Sequence, residues 1–549
     1  MVLNTVDTKT YTGSQIIINT LKNLGIDSIF GYPGGVVLSI YDELFKQNDI
    51  KHYLTRHEQA AVHAAEGYAR VSGKCGVVLV TSGPGAANTV SGIANAYLDG
   101  YPLIILTGQV SKKLIGTDAF QEINIIEITK SCTKANYQVT DITTLEATLK
   151  EAFHCAMSGK KGPVVVDLSR DIFNEKTTSS PGIYYQKPHF EISQDLVFEI
   201  INEIKNSKRP VAVSGGGVVH SEACKELYKF VKTLNIPVVN TMMGTGTFPN
   251  NDKNYFGMIG IFGQNSANEV LKNSDLVISL GARFNDRITC CFKNGKPDAK
   301  FIQIDINENE LSRVIPAHIS VRGDIKEVLN VINTNLSDNG YKPLTQHIYW
   351  LEDSMGFKLL NKKNQAVSEN MQSYEVIEAI YDFTKSFEPV VTTEVGQHQM
   401  WTVQNYKFSS AKKFITSGGS GTMGFGFPAA IGASIALNRQ PVICIAGDGS
   451  FQMNEQELAT CMDYKLPIKI FIMNNGYLGM VRQLQEKNCE GRFSETKISN
   501  PDFVKLAQAY GIKAARVQDK SEIKEALAKA FSVNEPYLID FVIEPMEIV

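Results

Sequence analysis

Short apolar runs rich in valine and isoleucine recur along the 549-residue chain, and glycine or a polar turn follows most of them. Such runs are typical of strands that are buried on both faces of a parallel sheet. Stretches with helical periodicity lie between the runs, and this alternation predicts an α/β fold. The predicted strands are residues 28–30, 76–81, 103–107, 164–167, 211–214, 238–241, 276–280, 301–305, 390–393, 442–446, 468–473 and 537–541.

The predicted strands fall into three groups, and we expect three doubly wound parallel-sheet domains. Their predicted bounds are residues 1–175, 188–336 and 370–549. A polar stretch at 174–182 predicts the first linker, and a charged stretch at 337–370 with little periodicity separates the second domain from the third. Glycine recurs where the strands end, which is where parallel α/β sheets bind their ligands.

Composition narrows the class of protein. Apolar residues make up 43% of the chain and charged residues 20%, and the net charge of −3 does not favour a nucleic-acid partner. The nine cysteines lack the spacing of a zinc site or a disulfide framework, which indicates a reducing compartment. The N-terminus lacks the pattern of a signal peptide, and no apolar run reaches the roughly 18 residues of a membrane helix. We therefore expect a cytoplasmic protein without a membrane or nucleic-acid partner.

Two motifs in the third group predict a metal and diphosphate site. The run at 442–446 ends in GDGS, and the run at 468–473 ends in NNGY. Because the carboxyl ends of adjacent parallel strands share one edge of a sheet, Asp448 and Asn475 should lie together there. Carboxylate, amide and carbonyl oxygens suit Mg²⁺, and glycine N–H groups at a helix start suit a diphosphate. A plain strand-to-turn corner is the alternative for GDG alone, but the two motifs together resemble the fingerprint of thiamine-diphosphate enzymes.

Glu58 is the candidate for activating that cofactor. It lies among alanines in the first turn of a helix that includes the segment RHEQAAVHAAEGYAR. A thiamine enzyme needs a carboxylic acid beside N1′ of the aminopyrimidine, in an apolar place that holds its pKa near the working pH. An ordinary first-turn helix charge is the alternative, and it is favoured when Glu58 is considered in isolation. The segment resembles the N-terminal domain of the same enzyme class, in which the glutamate serves the cofactor of a neighbouring subunit.

Further motifs narrow the resemblance to one family. They are FGYPGG at 30–35, TSGPGAAN at 81–88, GQV at 108–110, IGTDAFQE at 115–122, EVGQHQMW at 394–401, TSGGSGTMGFGFPAA at 416–430, GDGSFQMNEQELAT at 447–460 and NNGYLGMVRQ at 474–483. Over nearly the whole chain they resemble the large subunit of acetohydroxyacid synthase, also called acetolactate synthase. The resemblance implies a carboligase that decarboxylates pyruvate and transfers the two-carbon unit to a second carbonyl, with pyruvate as the expected acceptor and 2-acetolactate as the product. It also implies thiamine diphosphate, Mg²⁺ and FAD as cofactors.

The resemblance assigns roles residue by residue. The catalytic set comprises Glu58, Gly35, Phe120, Gln121, Lys134 and Arg287, and the last of these holds an acceptor carboxylate. The residues that border the cofactor are Gln397, His398, Gly421, Met423, Gly447, Gly449, Ser450, Tyr477, Gly479 and Met480. The metal ligands are Asp448, Asn475 and the carbonyl of Tyr477. The expected flavin contacts are Arg170, Gly215, Gly216, Gly217, Thr241, Met242, Gly281, Arg283, Asp305, Ile306 and Asp324.

Two of these sets have simpler alternative explanations. The family also implies protein partners. Core packing is the alternative for Phe120, Met423 and Met480. A middle domain that has lost its flavin is the alternative for the flavin contacts. The family forms homodimers or homotetramers with active sites between subunits, and a regulatory small subunit is a further possible partner.

Several positions depart from the family pattern, and most concern the acceptor side. Leu484 replaces a tryptophan that favours 2-ketobutyrate as acceptor, Ile261 and Phe262 replace a Met-His pair, and Lys130-Ser131 replaces Arg-Pro. The chain ends at Val549, where family members continue into a tail that helps to close the site. The alternatives are transfer to another acceptor such as a ketosugar, simple decarboxylation of a 2-keto acid, and a non-catalytic paralogue. The paralogue predicts loss of the activating glutamate or the metal ligands, and this sequence retains them.

Overall fold

The structure is a computed structural model, and it describes residues 10–178, 192–292, 298–361 and 370–549. The chain forms two compact units. The first consists of Met1–Lys187, Val390–His398 and Ile415–Met546, and the second consists of Pro188–Pro389, Gln399–Phe414 and Glu547–Val549. The predicted linker at 174–182 lies partly outside the described residues, and the three predicted domain bounds stay a prediction.

The strands of the described residues are numbered in chain order. They are β1 (Thr10–Thr12), β2 (Ser28–Tyr32), β3 (Lys51–Leu54), β4 (Gly76–Val80), β5 (Leu103–Gln109), β6 (Ala135–Val139), β7 (Pro163–Ser169), β8 (Lys176–Thr178), β9 (Pro210–Ser214), β10 (Val238–Asn240), β11 (Tyr255–Met258), β12 (Leu276–Leu280), β13 (Lys300–Asp305), β14 (Ile319–Arg322), β15 (Val390–Thr393), β16 (Phe414–Ile415), β17 (Val442–Gly447), β18 (Ile468–Asn474), β19 (Lys513–Val517) and β20 (Tyr537–Val542).

The α-helices are numbered in the same way. They are α1 (Gly13–Asn23), α2 (Leu38–Phe45), α3 (Glu58–Ser72), α4 (Pro84–Ala87), α5 (Val90–Asp99), α6 (Ile125–Thr129), α7 (Ile142–Met157), α8 (Gln194–Asn206), α9 (Gly216–His220), α10 (Cys224–Leu234), α11 (Asn265–Asn273), α12 (Asp286–Thr289), α13 (Ile325–Asp338), α14 (Thr345–Met355), α15 (Ser373–Thr384), α16 (Gln397–Asn405), α17 (Gly426–Ala436), α18 (Asp448–Phe451), α19 (Leu458–Asp463), α20 (Gly479–Asn488), α21 (Phe503–Ala509) and α22 (Ile523–Phe531).

The N-terminal sheet of the first unit has six parallel strands in the order β3-β2-β4-β5-β7-β6. Its inner strands β4, β5 and β7 are buried along their whole length. Successive side chains of these strands enter different cores, since Val78 and Ile105 belong to one cluster and Val77 and Ile104 to the other. A strand that is apolar on both faces is therefore a continuous run of valine, leucine and isoleucine in the sequence.

The C-terminal sheet of the first unit has the order β16-β15-β17-β18-β20-β19. The pairings of β17 with β15 and β18, and of β20 with β18 and β19, are parallel. In the register of β17 and β18, Ala446 pairs with Ile472 and Gly447 with Met473. The two strands therefore end side by side, and the GDGS and NNGY turns leave the sheet at one edge.

Helices α3 and α17 join the two sheets of the first unit through residues without large side chains. A Cβ atom on Gly432 would lie 1.8 Å from the carbonyl oxygen of Ala64. A Cβ atom on Gly67 would lie 2.1 Å from the carbonyl oxygen of Ala429. Both distances are far below van der Waals contact and involve backbone, which cannot turn aside. The glycines thus allow the two helix backbones to touch.

A buried ion cluster follows this contact at the end of α3. Nη2 of Arg70 donates to Oε1 of Glu66 at 2.5 Å and to Oδ2 of Asp99 at 2.6 Å. Nη1 of Arg70 donates to the carbonyl oxygen of Thr416 at 2.9 Å, and Asp99 accepts the N–H of Gly419 at 2.7 Å. Removing one partner of such a cluster leaves a buried charge uncompensated, at a cost of about 3–5 kcal/mol. The end of α3 is therefore fixed to the loop that follows β16.

The sheet of the second unit has six parallel strands in the order β11-β10-β9-β12-β13-β14. The stretch at 337–370, which has little periodicity in the sequence, contains helix α14. Its residue Trp350 is buried, and Nε1 of that indole donates to the carbonyl oxygen of Pro210 at 3.0 Å. The sequence did not predict this helix, because the stretch is polar; the helix packs at the start of β9.

The three six-stranded sheets with helices on both faces confirm the predicted α/β class. Each of the predicted strands is present, with bounds that differ by at most two residues at either end. Within the described ranges, none of the helices combines the length and the apolar character that crossing a bilayer requires.

We expect that Gly432→Ala destabilises the protein. The added methyl group would overlap the carbonyl of Ala64, and overpacking of this kind costs about 1–3 kcal/mol. The control is Gly356→Ala, at an exposed position where a Cβ atom meets nothing within 4 Å. Thermal unfolding followed by circular dichroism should give a lower melting temperature for Gly432→Ala than for the control. Equal melting temperatures would mean that the backbones of α3 and α17 do not touch as described.

Candidate active site

Glu58 is the first residue of α3, as the sequence predicts. The helix begins with a side-chain cap, because Nδ1 of His57 accepts the N–H of Gln59 at 3.1 Å. Oε2 of Glu58 accepts a hydrogen bond from the amide of Asn88 at 3.0 Å. Its other oxygen, Oε1, lies 3.3 Å from the place that a Cβ atom on Gly85 would take. The carboxylate therefore rests against the TSGPG turn, where only a residue without a side chain leaves room for it.

The TSGPG turn also contacts two other predicted parts of the site. A Cβ atom on Gly34, the neighbour of Gly35, would lie 2.4 Å from Cβ of Thr81. Gly83 has a φ of +58°, and its Cβ position lies 2.8 Å from the carbonyl oxygen of Gln121. The structure thus brings the FGYPGG loop, Gln121 and the turn that holds Glu58 together.

Two buried hydroxyl groups of this turn bear on whether a cofactor fits. Oγ1 of Thr81 and Oγ of Ser82 are buried and have no hydrogen-bond partner among the described residues. A buried hydroxyl without a partner costs free energy, so its retention calls for a functional explanation. Together with the carboxylate of Glu58 they form a polar lining suited to a nitrogen-rich ring such as an aminopyrimidine.

Phe120 and Lys134 occupy different surroundings. The ring of Phe120 is 89% exposed. Nζ of Lys134 donates to the carbonyl oxygens of Cys155 and Ser158, and burial lowers the pKa of its ammonium group. A cation at the end of a helix is stabilised by the carbonyls there, so Lys134 caps α7. The predicted cavity role of these two side chains stays a prediction.

Asp448 is the first residue of α18, directly after β17. Its Oδ2 accepts the N–H of Gly476 at 2.7 Å and the amide of Asn500 at 2.7 Å, and its Oδ1 accepts the N–H of Gly449 at 3.0 Å. Burial raises the pKa of this carboxyl to about 6, although the N–H donors act in the opposite direction. The contact with Gly476 joins the GDGS turn to the NNGY turn.

The NNGY turn is held from both sides. Oδ1 of Asn475 accepts the N–H of Tyr477 at 3.0 Å, and the carbonyl of Gly476 accepts the N–H of Ile498 at 3.0 Å. A carboxylate offers about four lone-pair sites and an amide oxygen two, so Asp448 and Asn475 keep acceptor capacity beyond these bonds. Hard oxygen donors at one sheet edge fit a magnesium ion.

Two glycines of these turns, Gly447 and Gly479, leave room for neighbouring side chains. The imidazole of His398 packs on Gly447, where a Cβ atom would lie 2.9 Å from the ring. Oε1 of Gln397 lies 2.1 Å from the Cβ position of Gly479, and Nε2 of Gln397 donates to Gln483 at 2.8 Å. The remaining predicted contacts belong to the same turns or to the loop after β16; they are Gly421, Met423, Gly449, Ser450, Tyr477 and Met480.

Glu394 holds the loop that carries Met423, although the sequence assigned it no role. Its Oε2 accepts the N–H of Gly424 at 2.7 Å, and its Oε1 accepts the N–H of Phe427 at 3.0 Å. Burial raises the pKa of this carboxyl to about 7, against the effect of the same N–H groups. One carboxylate thus fixes both the turn after Met423 and the start of α17.

Sequence reasoning missed two further residues at the site. Asn88 ends the TSGPGAAN motif and binds Glu58, so its position in the motif could have identified it. Asn500 donates to Asp448 and, at 2.9 Å, to Oδ1 of Asn474. Nothing in its sequence surroundings marks Asn500, because it follows Asp448 by 52 residues and joins the site only through the fold.

The predicted flavin contacts lie in the second unit, apart from Arg170. A Cβ atom on Gly215 would lie 2.2 Å from the carbonyl oxygen of Gly281, and one on Gly217 would lie 2.6 Å from Cα of Gly281. These glycines allow the turn after β9 to pack on Gly281, and a glycine-rich turn between a strand and a helix is typical of dinucleotide sites. The others lie where strands of this sheet end or just beyond; they are Gly216, Thr241, Met242, Arg283, Asp305, Ile306 and Asp324.

Comparison with known proteins defines the class. Profiles of thiamine pyrophosphate enzymes match residues 11–128 with the N-terminal TPP binding domain, 197–332 with the central domain and 394–541 with the C-terminal TPP binding domain. The chain is accordingly a thiamine-diphosphate-dependent enzyme, and thiamine diphosphate is its cofactor. The predicted Mg²⁺ and FAD are not tested by these matches.

Whole-length relatives define the family. The chain is 39% identical over 549 residues to the acetolactate synthase large subunit of Haemophilus influenzae, a match that covers 98% of this chain and 96% of that protein. It is 40% identical over 550 residues to that of Lactococcus lactis (98% and 94%). It is 39% identical over 528 residues to the isozyme 3 large subunit of Escherichia coli (94% and 92%). The chain belongs to the acetolactate synthase large-subunit family, which confirms the predicted thiamine-diphosphate-dependent, acetolactate synthase-like transferase.

We expect Glu394→Gln to change how stability depends on pH. The carboxyl of Glu394 has its pKa raised from 4.5 to about 7, so folding favours its neutral form. The stabilisation is complete below pH 4.5 and is lost as the pH rises towards 7. Glutamine does not titrate, so the stability deficit of the variant should shrink between pH 5 and pH 8.

Melting temperatures of the variant and the wild type at the two pH values test this expectation. Glu352→Gln, on the exposed side of α14, is the control and should show a difference that does not change with pH. A deficit of Glu394→Gln that stays constant or grows with pH would show that Glu394 is ionised in the folded protein throughout this range.

Proposed function

We propose that this chain condenses two molecules of pyruvate to 2-acetolactate and CO₂, with Mg²⁺ and FAD bound in addition to thiamine diphosphate. The observation that carries the proposal is the contact between Asp448 and the N–H of Gly476. It places a carboxylate and the amide oxygen of Asn475 at one edge of the C-terminal sheet, while Glu58 occupies a polar turn of the N-terminal sheet in the same unit. Relatives over the whole length of the chain are named acetolactate synthase large subunits.

Asp448, Asn475 and the carbonyl of Tyr477 would hold the magnesium ion. The metal would neutralise the charge of the diphosphate, and the glycines of the GDGS turn leave backbone N–H groups free to approach it. His398 is buried against Gly447, and burial lowers the pKa of its imidazole to about 4. It therefore adds no charge next to the metal at neutral pH.

Glu58 would hold and return a proton at N1′ of the aminopyrimidine. Asn88 orients its carboxylate through the bond to Oε2, and Gly85 leaves the space beside Oε1. When bound, thiamine diphosphate supplies the electron sink that takes up the electron pair of the broken carbon–carbon bond as CO₂ leaves. The protein supplies the orientation of that group and the exclusion of water.

The reactants would be positioned by Gly35, Phe120, Gln121, Lys134 and Arg287. Gln121 is best placed for this role, because its carbonyl lies on the turn that supports Glu58. Lys134 caps α7, so a role in the cavity requires its ammonium group to leave the carbonyls of that helix. Arg287 is exposed in the second unit, and its guanidinium would hold the carboxylate of the acceptor.

FAD would bind at the carboxyl ends of the strands in the second unit. The glycine-rich turn between β9 and α9 supports this, because a turn of this kind after a strand is typical of dinucleotide binding. Arg170 and Arg283 would add positive charge. The flavin would have a structural role, because the condensation transfers no electrons overall.

The proposed assembly is a homodimer or homotetramer in the cytoplasm. Several relatives are named large subunits, and a regulatory small subunit is accordingly a proposed partner. In the proposed dimer, Glu58 of one subunit serves the cofactor held by the neighbouring subunit.

Leu484 would favour pyruvate as the acceptor. It lies on α20, one residue after Gln483, the partner of Gln397, and it is 38% exposed. A tryptophan here would offer an apolar surface to the extra methyl group of 2-ketobutyrate, and leucine offers less. A pocket contact with one extra methylene is worth about 1–3 kcal/mol of discrimination.

We expect Glu58→Gln to slow acetolactate formation by about 10²–10⁴-fold, because glutamine keeps the shape of the side chain but cannot exchange a proton. The assay supplies pyruvate, thiamine diphosphate and Mg²⁺ and identifies the product, and the visible absorption of the same preparation reports on FAD. Glu127→Gln is the matched control, since Glu127 is also a first-turn glutamate of a helix, α6.

Three outcomes of that assay would contradict the proposal. Unchanged pyruvate consumption in Glu58→Gln would refute the assignment of Glu58 as the activating residue. Acetaldehyde as the main product indicates a simple decarboxylase. A wild-type rate that rises sharply only when another carbonyl compound is added indicates a different acceptor.

We expect Leu484→Trp to raise the preference for 2-ketobutyrate over pyruvate by about tenfold or more. Competition between the two acceptors at equal concentration, with both products quantified, measures this ratio. Leu484→Met keeps the volume of the side chain and should leave the ratio unchanged. An unchanged ratio in Leu484→Trp would place residue 484 outside the acceptor pocket.

A further inference from the structure

The C-terminal part of the first unit binds the chain segment that leads into Glu58. Side chains of α19 and its flanking turns contact residues 54–56. The N–H of Leu54 donates to the hydroxyl of Tyr464 at 2.7 Å, and Oγ1 of Thr460 contacts the carbonyl oxygen of Leu54 at 3.2 Å. Nη2 of Arg56 donates to Asp463 at 2.6 Å. The start of α3 is thus held by residues that follow the GDGS turn in the sequence.

Glu457 makes the most direct of these contacts. It is fully buried, and its Oε1 accepts the N–H of Arg56 at 2.8 Å. The N–H of His57 also acts on this carboxyl and lowers its pKa, against the larger effect of burial. Oε2 of Glu457 accepts the hydroxyl of Thr460 at 2.6 Å. A single carboxylate therefore binds the backbone two residues before Glu58 and is itself held by Thr460.

The N–H group of Arg56 lies just before α3, where the helix offers it no acceptor. Without Glu457 it would be left unsatisfied, or the segment would move to find water. Either response shifts the first residue of α3, which is Glu58. A displacement of about 1 Å at a reacting group can lower a rate by about 10²-fold. The position of Glu58 therefore depends on a residue that does not touch the cofactor.

We propose that Glu457 is a positioning residue for Glu58, which it holds in place by accepting the N–H group of Arg56. The proposal rests on the activating role of Glu58 stated under Proposed function. It assigns to Glu457 no contact with substrate or cofactor. What it requires is a hydrogen-bond acceptor at this position, with or without a negative charge.

Two substitutions distinguish the effect of the hydrogen-bond acceptor at residue 457 from the effect of side-chain volume. Glu457→Gln keeps an acceptor oxygen for Arg56, and its amide can donate to Thr460. Glu457→Met fills the same space without an acceptor. The readout is the rate at which the C2 proton of bound thiamine diphosphate exchanges with D₂O, measured by quenched flow and proton NMR without pyruvate.

We expect exchange at least tenfold slower in Glu457→Met and within threefold of the wild type in Glu457→Gln, with the Kd for thiamine diphosphate preserved in both. Glu455→Gln, two residues away on the same turn, is the matched control and should exchange at the wild-type rate. Wild-type exchange in Glu457→Met would overturn the proposal. Equally slow exchange in the glutamine and methionine variants would also overturn it, because the charge rather than the acceptor would then matter.

The double variant Glu58→Gln/Glu457→Met separates this inference from the role of Glu58. If Glu457 acts through Glu58, the double variant exchanges no more slowly than Glu58→Gln alone. A further loss in the double variant would mean an independent effect and would refute the positioning role. If Glu58→Gln itself exchanges at the wild-type rate, the assignment of Glu58 fails instead.

Two milder variants keep the test decisive if Glu457→Met does not fold. Tyr464→Phe removes the acceptor for the N–H of Leu54, and Thr460→Val removes the hydroxyl that binds both Glu457 and Leu54. Each should slow C2 exchange by about threefold or more, because each loosens the same segment. Wild-type exchange in both folded variants would refute the proposal.

Discussion

The backbone contact between α3 and α17 constrains the arrangement of the first unit. Where two helices touch through side chains, a substitution can be absorbed by repacking. Here Gly67 and Gly432 bring carbonyl oxygens of the opposite helix to about 2 Å from where a Cβ would stand, so no repacking is available. The distance between the N-terminal and C-terminal sheets is consequently set by the absence of two side chains.

Helix α3 transmits this constraint to Glu58, because the C-terminal part of the unit holds it at three points. Glu457 binds the backbone before its first residue, Gly432 contacts its middle, and Asp99 links Arg70 near its end to the loop that follows β16. The three contacts differ in kind, namely hydrogen bonds to backbone, van der Waals contact and a buried ion cluster. Because the three contacts respond to different conditions, a single change in solvent or sequence does not release them together, and α3 remains a rigid support for Glu58.

Burial determines which strands the sequence predicts and which it does not. In each six-stranded sheet the four inner strands were predicted with their bounds, whereas the two outer strands were not: β3 and β6, β11 and β14, β16 and β19. Inner strands are buried on both faces and form continuous apolar runs, whereas an outer strand such as β6 or β19 is partly exposed and has a mixed pattern. An exposed position accepts polar and apolar residues alike, so an outer strand has no clear sequence pattern.

The same reasoning applies to the site. Asp448, Asn475 and Glu58 belong to motifs with fixed spacing, so the sequence predicts them as site residues. Asn500 acts through contacts between segments far apart in the chain, which no local pattern records. Glu457 lies in the block GDGSFQMNEQELAT, but that block does not reveal its contact with the segment before Glu58. The capping of α7 by Lys134 was missed for the same reason, since its partners follow it by more than twenty residues.

Buried carboxylates that accept backbone N–H groups hold the turns around the site. The turns at the ends of parallel strands carry N–H groups that the sheet does not satisfy, and some of these must stay free for a diphosphate. In this unit, single carboxylates each bind two or more of the others. Glu394 binds Gly424 and Phe427, Asp99 binds Gly418 and Gly419, Asp448 binds Gly449 and Gly476, and Glu122 binds Gly116 and Thr117. Glu457 binds the N–H of Arg56 and the hydroxyl of Thr460.

A carboxylate suits this task because its two oxygens offer about four acceptor sites on one short side chain. Its cost is desolvation, which raises the pKa of Glu394 and of Glu457 to about 7 and that of Asp448 to about 6. The stability that these carboxyl groups give to the turns therefore depends on pH near neutrality. The rigidity that positions the cofactor-binding residues and the sensitivity of those turns to protonation therefore have one physical origin.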